Sequence, residues 1–280
     1  MDFFNLGGVL YDLLTAVFNF YNSQVSLVFE LLGQSPETFK GGGPWKVIEG
    51  VEPVFVAVGS SLVVLFFVIG FCSESVDIKE EMRFETILRI LMRLGIAEYM
   101  VANNVTVMKA FFQSAGNLVG LLSEGGRVKL KIEKEQAEVI KDLGFGESLV
   151  MLVLGSLLSV VIIVCGFFLV YTVYMRFIKL MVIVPLGAVA FSTIGGNHMV
   201  ANTAVTYSRY FLSVCFEAVV MALAIITSNA FINAGLPSFT ADYAGWTKTL
   251  FYLCEMTFTI ALTVGSVKGA QSLSGKALGL

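Results

Sequence analysis

Long apolar blocks separated by short polar ones dominate this chain. Leu149 to Tyr174 is apolar and carries no charge. Arg176 and Lys179 follow at once, and a second block runs from Leu180 to Ile194 with Pro185 inside it. After Gly195, Gly196, Asn197 and His198, a third block from Phe211 to Ala234 holds a single acid, Glu217. Val54 to Phe71 is as apolar, and Trp246 to Val267 forms a further block. About 20 apolar residues cross the hydrocarbon of a bilayer, so these blocks predict transmembrane helices joined by tight connections. The expected fold class is all-α, a polytopic transmembrane helix bundle of five to six spans with an amphipathic N-terminal helix and a small polar central loop.

The N-terminal helix is predicted over residues 1–33. Asp12, Thr15, Asn19, Asn22, Ser26 and Glu30 recur every three or four residues, and Leu10, Leu13, Leu14, Val17, Tyr21, Val25 and Val28 fill the other side. That spacing marks an amphipathic helix, and the lack of Lys or Arg removes attraction to anionic headgroups. It is expected to pack within an assembly or lie on the outer interface. No basic segment and no small-residue cleavage site precede it, so no removable signal peptide is expected.

Residues 34–53 read as a Gly/Pro connector, with Trp45 as an anchor at the membrane interface and Trp246 as a second. Residues 54–122 form a first membrane region. Within it Lys79, Arg83, Arg89 and Arg93 lie on an amphipathic stretch and mark the cytoplasmic side. Gly95 to Leu122 is ambiguous, because Glu98, Asn103, Asn104, Lys109, Gln113 and Asn117 must face protein or water if it spans. Residues 123–147 form the polar loop, where alternating Val128, Leu130 and Ile132 suggest a short strand and Glu135 to Leu143 a short helix ended by Gly144. Residues 148–267 are the main transmembrane bundle and 268–280 a short tail. If Gly95 to Leu122 does not cross, five spans gather most Lys and Arg on one side, which the positive-inside rule favours; Arg176 and Lys179 are then left outside.

Two blocks carry polar stripes. Asn202, Thr206, Arg209, Ser213 and Glu217 share one helix face, and Lys248, Tyr252, Glu255 and Thr259 share another. Such groups inside a span are costly in lipid, so they must face another helix, another subunit or a water-filled path. These residues, with Arg176, Lys179 and Pro185, are the candidate subunit-contact or conduit positions.

Composition agrees with a membrane class. Hydrophobic residues make up 56% of the chain, charged residues 14%, and the mean hydropathy is +0.82. The net charge of −3 argues against nucleic-acid recognition through a basic patch. Cys72, Cys165, Cys215 and Cys254 sit in or beside apolar blocks without CxxC spacing, and read as small apolar side chains. With His198 the single histidine, multi-histidine metal sites are excluded, and neither a phosphate-binding GxxxxGK[ST] loop nor GxGxxG occurs. A non-catalytic protein without metal or cofactor is expected.

The run Arg176-Phe177-Ile178-Lys179-Leu180 leading into an apolar helix with Pro185, then Gly187, Ala188 and the turn Gly195-Gly196, resembles TrbL-type polytopic subunits of type IV secretion systems, in particular those of Gram-positive conjugative elements. The likeness covers about 148–234. It implies a homo-oligomeric channel or platform in the cytoplasmic membrane that works with a VirB-type ATPase and other membrane subunits, in contact with membrane lipids and transiently with single-stranded DNA or a relaxase. The alternatives from the residues alone are a stand-alone small-solute channel or transporter, or a structural membrane scaffold. Internal repeats with paired broken helices, expected of a transporter, are absent.

Overall fold

The computed structural model describes residues 6–77, 84–123, 130–233 and 245–279. Within them the chain forms α1 (Leu6–Gly33), α2 (Gly43–Asp77), α3 (Phe84–Ala102), α4 (Asn104–Ser123), α5 (Lys134–Lys141), α6 (Phe145–Ser192), α7 (His198–Asn233) and α8 (Trp246–Ala277), and no strand. Five stretches are long and apolar enough to cross a membrane: Phe39–Ser73, Asn104–Leu122, Phe145–Gly195, Val200–Phe231 and Trp246–Ala277. The protein is an all-α, multi-pass membrane helix bundle.

Its helices sort into two compact units, each drawn from three separated segments. The first comprises Met1–Leu32, Val119–Tyr174 and Val219–Ser272. Its core joins Leu10 and Leu14 of α1, Ile140 of α5, Met151 of α6, and Tyr252 and Leu253 of α8. The apolar stripe of α1 is buried through Val17, Tyr21, Val25 and Val28 as well, as the three-to-four-residue spacing requires. From its polar side, Asn22 donates through Nδ2 to the Leu130 carbonyl at 2.8 Å and accepts from the Leu130 N–H at 3.0 Å. One side-chain amide thereby satisfies both backbone groups of Leu130.

The second unit comprises Gly33–Leu118, Met175–Ala218 and Leu273–Leu280. Apolar transfer does little to hold helices together in lipid, so close approach of small residues matters more. Ala97, Ala115, Ala188 and Ala204 are all core members here. At Gly59 a Cβ would stand 2.8 Å from the Ala188 carbonyl oxygen, so glycine lets the α2 backbone meet α6. α2 also packs along α3, and both meet the turn Thr193–Gly195. The face α2 leaves exposed, Val54, Val58, Val64, Leu65, Val68 and Ile69, is apolar and suited to lipid.

Several boundaries differ from expectation. The blocks Leu149–Tyr174 and Leu180–Ile194 are not two helices but one continuous α6 of 48 residues, about 72 Å at 1.5 Å per residue. Arg and Lys are good helix formers, so a charged pair alone does not end a helix. Gly95–Leu122 is two helices meeting at Asn103, and its second half, α4, is one of the five long apolar stretches.

Half of the expected connector is helical. α2 begins at Gly43, with Pro44 in the first turn, where no N–H is needed, and Pro53 inside. The remaining turn uses left-handed Gly41 and Gly42, with φ of 67° and 78°. Residues 130–133 form no strand, because the backbone of Leu130 meets a side chain rather than a second strand; Val128, Lys129, Arg127 and Glu124 lie outside the described residues. So do Lys79 and Arg83 of the basic stretch. The expected short tail is helical as far as Ala277.

Candidate functional site

Within the second unit, α6 and α7 bring three charged side chains into an apolar setting. Arg176 is 2% exposed and Glu217 3%, whereas the Lys179 side chain is 35% exposed. Lys179 Nζ lies 3.6 Å from Glu217 Oε1, an ion pair just beyond hydrogen-bond reach. The Arg176 guanidinium donates to α7 backbone carbonyls, Nε to Val214 and Nη2 to Cys215, both at 3.4 Å. Its Nη1 has no partner among the described residues. These distances are long, so the interaction is chiefly electrostatic. Two cations against one carboxylate leave the cluster net positive, and Arg176 rests on Phe177, which stacks on Phe39 at 4.1 Å between ring centroids.

About two turns further along α6 lies Pro185. Proline lacks the N–H that would bond the carbonyl four residues back, that of Met181, so the helix is loosened there. The two carbonyls just before the proline also take side-chain donors from neighbouring helices. Tyr207 of α7 donates to the Ile183 carbonyl at 2.8 Å, and Asn104 of α4 donates through Nδ2 to the Val184 carbonyl at 2.8 Å. Asn104 is fully buried. At Gly187 any Cβ would collide with Asn104 Oδ1 and sit 2.8 Å from the Tyr207 hydroxyl. Pro185, Gly187, Asn104 and Tyr207 therefore form a clasp near the C-terminal end of α6. The sequence singled out the proline, with Gly187 only as part of the family-like run, and neither Tyr207 nor the role of Asn104. The available signal was the proline itself, which marks a disturbed turn without saying which side chains meet it.

The two polar stripes have different settings. On α7, in the second unit, Ser213 and Glu217 are buried, and the Ser213 hydroxyl lies 3.4 Å from that of Ser274. Asn202, Thr206 and Arg209, nearer the start of the helix, are exposed. On α8, Tyr252 and Thr259 are buried in the first unit, and Glu255 is half-buried. Lys248 binds Glu135 of α5 at 2.8 Å, and this hydrogen bond and charge hold the Glu135 carboxyl below its ordinary range. Thr263 lies beside Tyr21 of α1, whose phenol is pushed well up by burial. The stripes thus fall in different units.

Trp45 does not serve as an exposed interface anchor. It is 3% exposed in the core of the second unit, edge-on to Phe112 at 6.2 Å, and its Nε1 donates to Glu49 at 3.0 Å. Lys109 lies over its ring at 5.4 Å and 3.9 Å from carboxylate oxygens of both Glu37 and Glu49. Trp246 opens α8 and is 38% exposed. The polar groups that made Gly95–Leu122 ambiguous are largely satisfied: besides Asn104 and Lys109, Glu98 accepts from Ser60 at 2.9 Å and Asn103 donates to the Tyr99 carbonyl at 3.0 Å. All four cysteines are free thiols. Among the described residues, no group of three or more His, Cys, Asp or Glu could hold a metal ion.

No protein-family model, curated protein or solved structure matches the chain.

Proposed function

We propose that this protein is a non-catalytic, homo-oligomeric channel or platform subunit of a type IV secretion machine in the cytoplasmic membrane, serving conjugative transfer of a relaxase-bound single DNA strand. The observation that carries the oligomeric part is the uncovered polar face of α7. Asn202, Thr206 and Arg209 lie on a stretch long and apolar enough to span, Val200–Phe231, yet their own chain leaves them exposed. Polar groups in that position call for another subunit or an aqueous path. The secretion part rests on the resemblance of the segment from Arg176 through Pro185 to Gly195-Gly196 to TrbL-type subunits. The energy for transfer would come from a separate VirB-type ATPase.

Two measurements test this. Native mass spectrometry of the nanodisc-extracted protein should give a discrete multiple of 30.4 kDa. A monomer at every concentration would refute the oligomer. Deleting the gene from its host element should abolish conjugative transfer while leaving host growth intact; unchanged transfer refutes the secretion role.

A further inference from the structure

A groove of about 540 Å³ lies within the second unit, open on one side and walled by α3, α4, the end of α6 and α7. Its size falls in the roughly 300–1,000 Å³ range of small-molecule sites. Phe111, Phe191 and Phe211 give it a rigid aromatic wall, and Met100 and Met108 an adaptable one. No carboxylate lines it, and its single charged wall residue is Arg209. Arg209 is exposed and has no acidic partner among the described residues.

The groove is built on α4 and α7, both of which are among the stretches able to cross a membrane. An apolar opening on such helices faces acyl chains rather than water. Arg209 lies within the stretch Val200–Phe231, two residues before the apolar block that begins at Phe211, and its long side chain can carry the cation out toward a lipid phosphate. Apolar walls with one unpaired cation at the rim match a molecule with an apolar tail and an anionic head.

We infer that the groove is a site for one anionic phospholipid, its acyl chain lying against Phe111 and Phe211 and its phosphate paired with Arg209. This goes beyond the secretion reading; of the polar α7 face it assigns Arg209 to a lipid and leaves Asn202 and Thr206 to the subunit contact. The ligand is bound by shape and charge and undergoes no reaction.

The test is native mass spectrometry of the full-length protein released from nanodiscs of phosphatidylglycerol or phosphatidylcholine. Wild type should retain one more phosphatidylglycerol than phosphatidylcholine per chain. Arg209→Gln should lose that preference, with retention of the extra lipid falling about five-fold, the scale of one basic residue at an anionic surface. Arg209→Lys should keep it. Val205→Phe, which fills the groove from an exposed wall position without disturbing the core, should lose the bound lipid of either type. Unchanged retention in Arg209→Gln and in Val205→Phe overturns the inference. So does a stoichiometric polypeptide crosslinked from Ser208 in place of lipid. Because the readout is bound lipid, its failure is separate from any failure in DNA transfer.

Discussion

Glu217 is the residue whose setting most constrains its chemistry. A carboxylate 3% exposed among membrane helices is unfavourable unless a cation stands close, and Lys179 is that cation at 3.6 Å. Breaking a buried pair by removing one partner costs about 3–5 kcal/mol, whereas replacing both with neutral groups is often harmless. Lys179 is about a third exposed, so solvent screening brings the loss below that range. Lys179→Met should therefore lower the thermal unfolding midpoint in detergent, and adding Glu217→Gln should restore most of it. Strictly additive losses in the double variant would show that the two residues act separately. Arg176 differs in kind: it satisfies part of its guanidinium on α7 carbonyls, so its removal would free backbone acceptors as well as a charge.

Pairs of helices are joined by few but specific polar contacts. The clasp ties α4 and α7 to the proline region of α6. α5 and α8 are joined by Glu135 and Lys248. The folded Glu135 carboxyl titrates below its unfolded value, ordinarily about 4.3. Its contribution is thus fully present above that unfolded value and is lost as pH falls through the lower folded one. Glu135 is exposed, so the effect is small and weakened by salt. The thermal midpoint of wild type should exceed that of Glu135→Gln at pH 7, and the gap should close on acidification. A gap that persists unchanged well below the carboxylate range would contradict this assignment.

Taken as a molecule, the chain separates apolar faces that a bilayer can cover from a polar face that it cannot. α6 exposes Val153, Leu157, Val160, Val164 and Phe167 at helical spacing, a stripe suited to acyl chains. α7 instead exposes Asn202, Thr206 and Arg209. If that polar face is where copies meet, Asn202→Leu combined with Thr206→Leu should convert the oligomer to monomers without preventing membrane insertion. An unchanged oligomeric mass would place the subunit contact elsewhere.

Helix class, the apolar character of the spans, the amphipathic N-terminal helix and a short helix in the polar loop were legible along the chain, because length, periodicity and the cost of unbonded backbone in lipid are local constraints; the short helix ends at Lys141, before the expected stop at Gly144. Glu217 was recognisable as out of place in an apolar block, and Lys179 as a cation between two of them. Their pairing was not, since they stand 38 positions apart along helix and turn and only packing decides which faces meet. For the same reason Pro185 suggested a disturbed helix, while the side chains that meet the carbonyls before it come from α4 and α7. Trp45 looked like an interface residue beside Gly and Pro, yet the helix begun at Gly43 turns it into the core. Local chemistry sets which segments become helices; long-range contacts, which no single segment contains, decide where each continues, which polar group meets which, and which polar face is left uncovered.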